Sequence, residues 1–148
     1  VVKRSEARDF WVEFFIVFVG LYTFFLALDW EFLKLLVATA SAGLLKLLGV
    51  AAVLSGSTVV VGPVSYVIVA SCTGVVGFSL FAALVAASPL KMKGQYLFAA
   101  FPLFVAWNVV RVVATVLWSE LHFWLWLATV AIVLVLFDWA AKREKVKL

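Results

Sequence analysis

Three side chains in this sequence are able to do chemistry together: Cys72, Arg111 and His122. Cys72 is the only cysteine and His122 the only histidine in 148 residues. Neither an internal disulfide nor a structural zinc site is therefore open to the chain. The thiol is either an inert core residue or a nucleophile, and arginine and histidine are natural helpers of a thiolate. A histidine titrating near neutral pH acts as base to the thiol and then as acid to a leaving amine. Each residue also has a plainer reading. Cysteine is commonly a passive buried side chain, Arg111 can snorkel to a membrane surface, and His122 can be an interfacial residue among Trp118, Trp124 and Trp126. Glu120, nearby in sequence, either orients the imidazole or is a surface carboxylate. The combination is more specific than its parts, because three separate segments supply one reactive group each.

The residues around the trio sharpen this reading. Val69-Ala70-Ser71-Cys72-Thr73-Gly74 leads from a turn into an apolar run, which sets Cys72 at the N-cap or first turn of a helix. There the free backbone N–H groups and the helix dipole favour a thiolate. The amides of Thr73 and Gly74 could receive an oxyanion during acyl transfer. Asn108, Arg111, Thr115 and Ser119 follow at offsets of three, four and four, so they share one helix face. Arg111 comes 16 positions after Gln95, in the outer half of a span that rises ~1.5 Å per residue. An arginine there costs roughly 2.5–3.5 kcal/mol unless it is paired or snorkels. Asn108 adds a second polar group one turn away, and with Thr73 and Gly74 it is assigned to substrate binding.

Composition determines where such a site must sit. Hydrophobic residues make up 67% of the chain and charged residues only 14%, and a soluble domain of this size cannot hide that much apolar surface. The chain reads as an integral membrane protein. A span takes roughly 20 apolar residues, which leaves room for four to five membrane helices in a single domain, residues 1–148. The expected fold class is all-α, a polytopic helical bundle. Weak alternation argues against an outer-membrane barrel. The net charge of +4 does not indicate nucleic acid, because the basic residues cluster at segment ends. The Trp and Phe residues read as interfacial belts and lipid-facing packing.

The apolar runs give the elements. A first helix is expected over Phe10 to Leu28, closed by Asp29, Trp30 and Glu31. It is too long for a signal-peptide core, and no small-residue cleavage site follows, so it reads as uncleaved. Phe32 to Leu54 is a less hydrophobic stretch containing Lys34 and Lys46 and ended by Ser55-Gly56-Ser57. Thr58–Val61 and Ser65–Val69 flank Gly62-Pro63 and read as a β-hairpin. It belongs at a membrane surface or against protein, because strand edges are not tolerated in hydrocarbon. Helices are then expected over Thr73 to Ala87, Gln95 to Trp118 and His122 to Ala141.

Charge sets the orientation. Lys3, Arg4 and Arg8, the Lys91/Lys93 loop and the tail Lys142, Arg143, Lys145 and Lys147 are expected on the cytoplasmic side. Cys72, the end of the fourth helix and His122 then converge outside. Phe32 to Leu54 fits as a segment that does not cross, because its lysines are costly in mid-bilayer. The expected location is the cell membrane, multi-pass, with the active site extracytoplasmic.

These residues resemble a known family. Ala70-Ser71-Cys72-Thr73-Gly74 entering a helix resembles the cysteine motif of the exosortases and archaeosortases. Asn108-Val109-Val110-Arg111-Val112 resembles their Asn-x-x-Arg motif, and His122 resembles the histidine or second arginine that completes the set. The similarity covers roughly Gly49 to Trp139 and suits a compact archaeosortase-like member. Ala70 and Ser71 stand where the family often has a glutamate, and no glycine follows His122. The resemblance implies a membrane cysteine protease or transpeptidase that needs no metal or organic cofactor. Its implied partners are secreted or surface proteins with a C-terminal motif, a transmembrane helix and a basic tail. Cleavage would pass through a thioester on Cys72, followed by transfer to an amine or lipid acceptor. Arg111 would steady the thiolate or tetrahedral intermediate, and His122 would shuttle protons.

Two non-enzymatic readings stand beside this one. In a substrate-binding subunit of a transporter, Arg111 and Asn108 would hold an anionic ligand and Cys72 would be passive packing. In a membrane structural or assembly factor, none of the trio would be essential.

Overall fold

The first apolar run folds as α1 (Arg4–Ala27), beginning before Phe10 because its charged first turns continue the same helix. The computed structural model describes residues 4–28 and 30–145. Lys3, Asp29 and Lys147, used in the sequence reading, lie outside them. Trp11, Phe15, Ile16, Val19 and Phe24 on α1 face outward, as a lipid-facing surface should.

The stretch Phe32 to Leu54 is not one element. α2 (Glu31–Leu47) stops where Gly49 takes a positive φ of 81°. The Gly49 N–H donates to Lys46 O and the Val50 N–H to Leu45 O, both at 3.0 Å. This is a Schellman stop, with glycine in the left-handed position and Val50 and Leu45 in one apolar cluster. Lys34 pairs with Glu31 at 2.7 Å, and Lys46 is exposed.

The expected hairpin is real but incomplete. β1 (Ala52–Ser55), β2 (Thr58–Val61) and β3 (Val64–Val67) form an antiparallel meander in the order β1-β2-β3. β1 lies inside what the sequence reading took as the tail of the second apolar stretch. Ser55 pairs with Thr58 across Gly56-Ser57, and Val61 with Val64 across Gly62-Pro63. Gly56 and Gly62 both have φ of 57°, which puts glycine first in a two-residue turn that suits strand twist. Val59, Ala52 and Ile68 are buried against Val37, Ala38, Ala42 and Leu45 of α2.

Three helices complete the bundle: α3 (Val75–Ala87), α4 (Lys93–Leu117) and α5 (His122–Arg143). α3 starts later than the expected Thr73, because residues Ala70–Thr73 form a separate 3-10 turn and Gly74 is left-handed at φ 96°. The segments Arg8–Ala27, Lys93–Leu117 and Ser119–Arg143 are each long and apolar enough to cross a membrane, whereas α3 has 13 residues. The expected four to five membrane helices thus reduce to three of full span length among the described residues, with α3 as a shorter apolar helix and α2 outside both groups.

Packing sets the ends of the bundle. Phe25 clusters with Val75 and meets the Phe78 ring, whereas Phe14 clusters with Phe81, Leu84 and Leu90. α1 therefore runs antiparallel to α3. The start of α1, the Lys91 loop and the end of α5 share one end. α2, the meander, the 3-10 turn and the start of α5 share the other.

Candidate active site

At the sheet end a cavity of about 280 Å³ is lined by Ser65, Tyr66, Val67, Ile68, Cys72, Arg111, Val112, Thr115 and His122. Three elements thus deliver the thiol, the guanidinium and the imidazole to one space. Cys72 sits on the 3-10 turn and is half-buried. Arg111 lies six residues before the end of α4 and is only 4% exposed. His122 is the first residue of α5, exposed at the mouth.

The guanidinium is held from several sides. Arg111 Nη2 donates to the Ser71 carbonyl at 3.2 Å, and its central carbon lies 4.7 Å from the centre of the Trp126 ring. The Cys72 thiol lines the same cavity as the guanidinium. Among the described residues no carboxylate forms an ion pair with Arg111. A buried cation with no carboxylate is costly, and the Ser71 carbonyl and the Trp126 ring face offset part of that cost.

The turn carrying Cys72 is fixed by packing on α4. A Cβ on Gly74 would stand 2.6 Å from Phe104 O and 3.1 Å from Asn108 Nδ2. Glycine is therefore required by contact as well as by its positive φ. Thr73 is fully buried, and its Oγ1 donates to Ala70 O at 2.6 Å, closing the 3-10 turn. Asn108 Nδ2 donates to Phe104 O at 2.8 Å, while its Oδ1 is buried with no partner among the described residues.

These contacts revise the sequence expectations. Cys72 is not in the first turn of α3, because left-handed Gly74 separates the two, so the thiol does not sit at the N-terminus of that helix. Thr73, Gly74 and Asn108, expected to bind substrate, do not line the cavity. They form the support beneath it. Ser119, expected on the α4 stripe, lies exposed on a 3-10 turn (Ser119–Leu121). Glu120 is exposed, and among the described residues no hydrogen bond or ion pair joins it to His122.

Compared with protein families, residues 1–137 match the transmembrane exosortase family (Exosortase_EpsH). The chain belongs to the transmembrane exosortases. The match takes in α1 to α4 and most of α5, including all three cavity side chains. No curated protein and no solved structure matches the chain. Within this exosortase, sequence reasoning missed the cavity wall supplied by β3 and the Trp126 face over Arg111. The strand was legible, but its place beside Cys72 was not. Trp126 sits four residues after His122, one turn along the same helix face, a spacing that could have marked it.

Proposed function

We propose that this exosortase is a cysteine transpeptidase or protease acting on the C-terminal sorting signals of secreted proteins. The observation that carries the reading is the meeting of the chain's sole cysteine, its sole histidine and a buried arginine without a carboxylate partner in one cavity. His122 accepts the thiol proton, and the Cys72 sulfur attacks a peptide carbonyl to give a tetrahedral oxyanion. Arg111 stabilises the thiolate and then the oxyanion. Collapse breaks the C–N bond, His122 returns the proton to the leaving amine, and a thioester remains on Cys72. An amine or lipid nucleophile then attacks the thioester, or water hydrolyses it, and the thiol is released.

The reaction belongs outside the cell under this proposal. The basic start of α1, Lys91 and the α5 terminus at Lys142 and Arg143 share the end opposite the cavity, which suits the cytoplasmic side of a multi-pass protein.

The test is co-expression with a secreted reporter carrying a short motif, an apolar helix and a basic tail, followed by intact-mass analysis. Wild-type protein should shorten the reporter and carry a covalent adduct on Cys72. Cys72→Ser should do neither. Processing that survives Cys72→Ser would sink the thiol mechanism and favour a passive cysteine.

A further inference from the structure

β3 is an edge strand, and its unpaired side borders the cavity that holds Cys72. Ser65, Tyr66, Val67 and Ile68 all line that cavity. Successive side chains of a strand point to opposite faces, so a cavity touching four in a row runs along the strand's backbone edge. The parity of the ladder shows which backbone groups are free there. The Ile68 N–H donates to Ser57 O at 3.0 Å, and Val59 faces Tyr66 while Val61 faces Val64. In an antiparallel pair, hydrogen-bonded and non-hydrogen-bonded positions alternate. Val64, Tyr66 and Ile68 therefore bond to β2, and the N–H and C=O groups of Ser65 and Val67 point away from it. In β1 and β2 the same alternation directs Val53 and Ser55 to Val60 and Thr58, so β2 is filled on both sides and β3 is left open. An open edge is a ready template for another extended chain.

We propose that the free edge of β3 takes the scissile segment of the substrate as a fourth strand, bonded to Ser65 and Val67 and carried past the Cys72 sulfur. The assignment rests on the function proposed above. Main-chain pairing supplies affinity for an extended peptide of any sequence, and the cavity walls select its side chains. Ser65 and Val67 are two residues apart, ~6.6 Å along a strand, so the paired segment is about three residues long. Such a segment must be extended, so the substrate's transmembrane helix begins beyond it.

Two measurements test this on the full chain in membranes. Proline removes an edge N–H without breaking a ladder bond, so Ser65→Pro and Val67→Pro should each lower reporter processing about two- to tenfold. Leu54→Pro, on the far edge of the sheet, should leave it unchanged. The second measurement needs no catalysis. Ser65→Cys in a Cys72→Ala background has a single thiol, and it should form disulfides with reporter cysteines at alternate positions of the segment before the helix. Crosslinks at every third or fourth position, or none, overturn the edge assignment while wild-type processing leaves the cysteine chemistry standing. A wild-type protein that leaves the reporter intact overturns the proposed function, and this site with it.

Discussion

Both ends of the bundle hold a cavity and an arginine against a tryptophan ring, but they surround the charge differently. At the basic end a cavity of about 370 Å³ lies between Phe81, Tyr96, Leu103, Leu136 and Trp139, with Arg143 stacked on Trp139 at 5.4 Å. There Arg143 is exposed, and carboxylates stand nearby. Asp138 bonds Lys142 at 2.6 Å, and Glu144 accepts the Lys91 and Met92 N–H groups at 2.6 and 2.9 Å. At the sheet end the cavity is smaller, Arg111 is buried, and a thiol shares its cavity. The larger space is thus not the chemically loaded one. What distinguishes the sheet end is a desolvated cation beside a thiol, carried on a turn packed closely against α4. Water screens the basic end, and its charges serve to tie a loop to a helix terminus.

Substitutions at the two ends should therefore differ in kind. The largest effect is expected from Cys72→Ala, which should lower reporter processing by about 10³-fold or more, as removal of a nucleophile does. Arg111→Gln should cost about 10²-fold through lost charge stabilisation, and Arg111→Lys should recover only part, because lysine lacks the planar fork that reaches Ser71 and stacks on Trp126. Arg143→Gln, its counterpart at the basic end, should leave processing near wild type. A loss there equal to that of Arg111→Gln would erase the contrast. His122→Gln should lower processing about 10²-fold or more through loss of the proton acceptor and donor.

Gly74→Ala should act on stability first. Its methyl group would enter the space of Phe104 O and force a left-handed backbone on alanine. The expected cost is about 1–3 kcal/mol, read as a lower unfolding temperature in detergent together with lost processing. An unchanged unfolding temperature would show that the turn is not clamped on α4. The smallest effect belongs to Glu144. Its carboxylate is held below the usual range, chiefly by the Lys91 N–H and then by that of Met92. A group with a lowered folded pKa contributes stability above its unfolded value, near 4.5, and loses it as the pH falls through the folded value. Wild type should therefore lose more stability than Glu144→Gln on acidification below about pH 5. Parallel pH curves would show that this cap contributes nothing.

The helices were legible because their apolar runs are long and sharply bounded. Ser88-Pro89 ends α3, and the link from Trp118 to His122 separates α4 from α5. The stop of α2 was carried by Gly49 alone, and a continuous apolar run around one glycine reads equally as helix or strand. That is why β1 was absorbed into the stretch before it. The position of Cys72 relative to α3 depended on Gly74 adopting φ 96°, a conformation forced by the approach of α4, which neighbouring residues in sequence do not reveal. The polar stripe read correctly through Asn108, Arg111 and Thr115 and failed at Ser119, because the chain had already left the helix. For Thr73 and Asn108, type and spacing suggested ligand binding, whereas burial made them supports.

By itself the sequence determined a membrane protein with one thiol, one imidazole and an arginine too costly to leave in lipid without purpose. Those conclusions need only composition, periodicity and the free energy of moving charge out of water. The tertiary structure decided which groups share a cavity, that Gly74 separates the thiol from α3, and that the open side of β3 runs beside it. Each depends on contacts between residues distant in the chain, and local pattern carries no record of them.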